Sequence, residues 1–167
     1  YDAQSDVSIL FKTLNEGYTF PKEMVDYDKP LPESAENYLN DYNNWYGDFD
    51  EIGQKLYEQL DTASNRFIDE NIEPTSTEII TIESLIRKFK NRCTSFDQIE
   101  TDEYYEVFHQ YFSRGCQYYV RAYSINLEGL KNSSKDRIEY SYLDYNIAYD
   151  YFNQIFDYEE DEVGSDA

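Results

Sequence analysis

Apolar residues in this chain recur at intervals of three and four, the spacing that lines up one face of an α-helix. The longest run passes through Tyr38, Tyr42, Trp45, Phe49, Ile52, Leu56, Leu60, Ala63 and Phe67. It predicts one long helix opening at Glu33, or two nearly collinear ones. A kink at Gly47 is the preferred form, because Asp48 with Glu51 three residues on can restart the helix as a capping box. Before it, Val7, Leu10, Phe11 and Leu14 predict a short first helix between Asp6 and Gly17. Pro21, Pro30 and Pro32 break up the segment between, which reads as an extended strap over 18–32.

Pro74 stops the long run, and Ser76 is the expected cap of a third helix carrying Ile79, Ile82, Ile86, Phe89 and Cys93. Thr101 is the expected cap of a fourth, with Tyr105, Phe108, Phe112, Tyr119 and Ala122 on its stripe and Leu130 near its end. The turn from Lys131 to Ser134 is short, so the fourth and fifth helices should be antiparallel neighbours. Ser134 caps the fifth, whose stripe is Ile138, Tyr142, Tyr145, Tyr149, Phe152 and Phe156. From Tyr158 the chain turns acidic and is expected to leave the fold. The fold class is therefore all-α: a single-domain bundle of about five helices over residues 1–157, followed by a flexible acidic tail over 158–167.

Composition sharpens this picture. A mean hydropathy of -0.82 and 29% charged residues suit a disordered chain, but 19 tyrosines and 10 phenylalanines held at helical spacing do not. The net charge of -21 repels nucleic acid and anionic membrane, so direct binding to either is not expected. It favours a protein partner with a basic surface, and self-repulsion favours a monomer. No stretch approaches the roughly 20 apolar residues of a membrane span. The chain opens at Tyr1 without a methionine, which fits an exported protein whose leader has been removed. Asn132-Ser133-Ser134 is a sequon, so Asn132 is a candidate glycosylation site on that route.

Candidate chemistry is sparse. His109, the one histidine, stands three residues after Glu106 in the Glu-x-x-His spacing of bundle metal sites, but the second histidine such a site needs does not exist. Asp48-Phe49-Asp50-Glu51-Ile52-Gly53 opens like a calcium loop and then fails, with Ile52 and Gln59 where oxygen ligands belong. Cys116 and His109 lie roughly 10 Å apart along one helix at 1.5 Å per residue, too far for a dyad. No catalytic residue, metal or cofactor is expected.

Cys93 and Cys116 fall on apolar stripes, and the connection between their helices is long enough to bring them together, which predicts a disulfide. Arg87, Lys88, Lys90 and Arg92 form a basic island that either complements the end of its helix or docks an anionic group such as a sulfated glycan. Tyr158, Glu159, Glu160, Asp161 and Glu162 place a tyrosine among carboxylates, a context for sulfation and for binding basic surfaces. These features point to a secreted, non-enzymatic helical protein that sequesters or blocks a partner. The alternative is a cytoplasmic mimic of nucleic acid that occupies the basic groove of a DNA-binding protein.

Overall fold

A computed structural model describes the backbone of residues 33–101 and 105–163, with side chains as far as Asn153. The short first helix and the strap expected before Glu33 lie outside the described residues. Four helices follow one another: α1 (Glu33–Glu70), α2 (Ser76–Phe96), α3 (Glu106–Lys131) and α4 (Lys135–Val163). There is no strand among the described residues, and no helix among them is long and apolar enough to cross a membrane.

Helix α1 runs unbroken through Gly47, so the capping box expected at Asp48 does not form and the Asp48–Gly53 segment is plain helix. The apolar stripe explains why. Tyr38, Trp45, Phe49, Leu56, Leu60, Ala63 and Phe67 are all buried, and this continuous packing holds the helix together across one glycine. Asp48 instead faces Arg92 of α2 at 3.4 Å. The stop comes at Asn71, in the left-handed region at φ 57°, where the Ile72 N–H returns to the Arg66 carbonyl at 3.3 Å. The Asn71 N–H also returns to the Phe67 carbonyl at 3.1 Å, the bond that marks an αL ending.

Thr75, not Ser76, caps α2. Its hydroxyl accepts from the Glu78 N–H at 3.2 Å, and the Glu78 carboxylate accepts from the Thr75 N–H at 2.7 Å, completing a capping box. Arg66 of α1 adds two bonds to the same carboxylate, at 2.8 and 2.9 Å, and so ties the two helices together. A second tie lies further along. The Trp45 indole N–H donates to the Arg92 carbonyl at 2.9 Å, the Arg92 Nε donates to the Trp45 carbonyl at 3.1 Å, and the guanidinium covers the indole at 5.5 Å.

Helix α3 begins at Glu106 after Tyr105, with no side-chain cap bond, so Thr101 is not its cap. Ser134 does cap α4, accepting from the Arg137 N–H at 3.4 Å. Between α3 and α4 the backbones nearly touch. A methyl group on Gly129 would lie 2.6 Å from Ile138 Cγ1 and 2.9 Å from its backbone nitrogen, and one on Gly115 would lie 2.6 Å from the Phe152 ring. This pair is the most intimate in the structure, whereas α1 and α4 scarcely meet. Helix α4 continues through Val163, past Tyr158 where the acidic tail is expected to begin.

Two consequences can be measured. Gly129→Ala should lower the unfolding free energy by about 1–3 kcal/mol through overpacking, despite the better helix propensity of alanine. Gly47→Ala, where a methyl group meets nothing within 4 Å, should raise it by about 0.5–1 kcal/mol; urea titration of both variants reads the opposite signs. Hydrogen bonds from the Thr75 backbone and hydroxyl, and then from Arg66, pull the Glu78 carboxyl down to about 2 from an ordinary 4.5. Its contribution to stability is full above the ordinary value and disappears as pH falls toward the lowered one. Glu78→Gln should flatten that acid limb in urea titrations between about pH 5 and about pH 2.

Candidate functional site

Because α3 packs tightly on α4 while α1 leans on α2, a gap opens between α1 and α4. It forms a cleft of about 550 Å³. Phe89, Leu60 and Tyr123 form its buried floor, and Tyr119 and Tyr145 its inner walls. Tyr57, Tyr142 and Tyr149 stand at the rim, 53%, 39% and 59% exposed. Asp50 and Asp61 reach the cleft from α1, together with Gln54, and Asn146 reaches it from α4.

Tyr119 and Tyr123 stack at 5.8 Å and 15°, while other ring pairs meet at steep angles. Tyr123 and Tyr145 are edge to face, 5.1 Å apart at 85°, and Tyr119 meets Tyr145 at 5.7 Å and 70°. Phe89 closes the bottom against Tyr123 at 5.2 Å and 88°. Perpendicular pairs of this kind present electron-rich ring faces in more than one direction. Burial, with neighbouring phenols adding to it, raises the Tyr119, Tyr123 and Tyr145 hydroxyls above their ordinary range; burial and then Asp61 do the same to Tyr142. These phenols therefore stay neutral through the physiological range.

Asp50 and Asp61 make no ion pair among the described residues. Each accepts one bond at 3.0 Å, from Gln54 and Asn65 respectively, a single turn along α1. Asn126 at the inner end is fully engaged: Ser64 donates to its carbonyl oxygen at 2.9 Å, and its amide donates to Ser141 at 3.3 Å. This buried chain joins α1, α3 and α4 beneath the cleft. No imidazole or thiol lines it.

The residues singled out from sequence fall elsewhere. Arg92 is consumed by the Trp45 tie, while Arg87, Lys88 and Lys90 are exposed and make no ion pair among the described residues. They do not occupy the last turn of α2, which runs on to Phe96 and holds no basic residue. His109 is buried, stacked on Phe96 at 4.3 Å, with the Tyr38 hydroxyl 3.1 Å from its Nδ1; burial lowers its pKa. Glu106 turns to Gln110 at 3.1 Å. Asn132 is exposed at the end of α3, with its amide donated to the Glu128 carbonyl at 2.8 Å. Tyr158 to Glu162 lie on α4 beyond the side chains described.

Cys93 and Cys116 do come together, as expected, but as free thiols and not as the expected disulfide. Both are buried, and burial followed by the neighbouring Cys93 pushes the Cys116 thiol well up.

Sequence reading placed Tyr119, Tyr142, Tyr145 and Tyr149 on core stripes, weighed Asp50 only in a failed calcium loop, and passed over Asp61, Tyr57 and Tyr123. The usable signal was the chemistry of those stripes, in which tyrosine replaces leucine where α3 and α4 face α1. Against this geometry, no protein-family model, curated protein or solved structure matches the chain.

The thiols should be unreactive in the folded protein. Iodoacetamide should add to neither cysteine under native conditions and to both once the chain is denatured without reductant. Intact mass reads the difference, and a denatured chain that takes up no label would show that the two are bridged.

Proposed function

We propose that this chain is a non-catalytic binding protein that seats the basic surface of a partner over the tyrosine cleft and thereby sequesters or blocks it. The observation carrying this reading is the cleft itself, lined by neutral phenols and by two carboxylates that have no ion pair among the described residues, on a chain of net charge -21. Tyrosine suits such a surface because it covers area at low entropic cost and keeps a polar tip. The carboxylates supply steering and orientation. Work outside the cell belongs to the same proposal, supported by the exposed sequon at Asn132.

A mimic of a nucleic-acid backbone needs an unbroken acidic stripe. The exposed Arg87, Lys88 and Lys90 interrupt one on α2, which favours the first reading.

The test uses a lysine- and arginine-rich probe peptide and two conditions. Raising salt from about 50 to about 500 mM should weaken its affinity at least about ten-fold. Asp50→Asn combined with Asp61→Asn removes two of the 21 excess negative charges, so diffuse attraction is almost unchanged. Affinity should still fall about ten-fold, since a charge-assisted hydrogen bond is lost. Salt-independent binding, or a double variant that binds as before, would overturn the proposal.

A further inference from the structure

We infer that the cleft is a receptor site for a small organic ammonium ion, one with an aromatic or similarly flat apolar body and a protonated amine at its end. This rests on reading the cleft as a cation-binding site, and it specifies a ligand that no basic protein need supply.

Three observations converge on that chemistry. The first is size and shape. At about 550 Å³ the cleft falls within the range that encloses most of a small molecule, and its floor is made of buried rings. A partner's surface could cover the opening, but only a slender group could reach Phe89 and Tyr123 at the bottom.

The second is the character of the walls. Tyr119 and Tyr123 stack at 15° and Tyr145 stands at 70° and 85° to them, so a flat body lying along the stacked pair meets Tyr145 at a steep angle. A cation within about 6 Å of such faces is attracted by the ring quadrupole, more strongly as water is excluded.

The third is where full charge sits. Asp61 and Asp50 stand on the α1 side, half-buried, with no cation among the described residues to neutralise them. Asp61 lines the cleft together with Tyr142 of the rim, and its charge adds to burial in raising that hydroxyl. A ligand spanning the cleft can therefore lay its ring on the α3 and α4 tyrosines and direct its nitrogen toward α1. A neutral ligand of the same shape leaves Asp61 without a counter-charge, and an anion is repelled.

Isothermal titration calorimetry on the full chain tests this with 2-phenylethylammonium, its near-isostere 2-phenylethanol, and N-acetyl-lysine methylamide. The ammonium should bind at least about ten-fold more tightly than the alcohol. Asp61→Asn should erase that difference. Tyr57→Ala and Tyr149→Ala change rim residues more than half exposed, so circular dichroism should be unaltered while affinity for the ammonium falls about five-fold or more. Equal binding of amine and alcohol, no binding of either, or binding that survives the rim variants overturns the inference. If the lysine derivative binds as tightly as 2-phenylethylammonium, the site reads a partner's side chain and the small-molecule form falls. Should the ammonium fail while the basic peptide still responds to the paired aspartate substitutions, the proposed function stands alone; the converse result leaves only the small-cation site.

Discussion

Where Gly129 faces Ile138 there is no room for a methyl group, and the arrangement of the other helices follows from that contact. Backbones this close fix the register of α3 on α4, and Gly115 against Phe152 fixes it again four turns earlier along α3. Once the two helices are locked, Tyr119 and Tyr123 must stand beside Tyr145. Helix α1 belongs to a different attachment, held to α2 by Trp45 with Arg92 and by Arg66 with Glu78. Helices α1, α2 and α3 share one core, while α4 is held almost entirely by α3, and this leaves a gap between α1 and α4. A bundle with uniform spacing would have filled it.

The gap does not run through the molecule, because Ser64, Asn126 and Ser141 close its inner end with hydrogen bonds across three helices. A polar chain of this kind is costly to bury unless every member is satisfied, and it tolerates only one alignment of the helices that carry it. It fixes how far α1 can approach α3 without drawing it onto α4. The apolar stripe alone would not discriminate between those positions.

Much of this architecture was legible in the chain. The spacing from Tyr38 to Phe67 marked α1, and Ser134 marked the start of α4, because periodicity and caps are local properties. What misled was also local. Gly47 with Asp48 has the form of a restart, yet the burial of Trp45 and Phe49 on either side outweighs it. Ser76 is as good a cap as Thr75 by residue type, and only the reach of Glu78 decides between them. The cleft was hidden for a different reason. Periodicity says that Tyr142 and Tyr149 point inward, but whether a neighbouring helix arrives to cover them depends on distances set by Gly129 and Trp45, remote in sequence. Arg92 illustrates the converse: within a basic cluster it resembles its neighbours, and only the position of α1 turns it into a structural residue.

Trp45 has a consequence beyond the tie it makes. It is the single tryptophan of the chain, buried and hydrogen-bonded, and it stacks at 4.6 Å on Phe49, which in turn lines the cleft. Most of the remaining aromatic absorption comes from tyrosines, several of them in the cleft walls. Light absorbed by those phenols can pass to one acceptor that stands a single ring behind the site. The protein thus carries its own optical gauge: tryptophan emission excited through tyrosine reports on the distance between the cleft walls and the α1–α2 junction, with no dye attached.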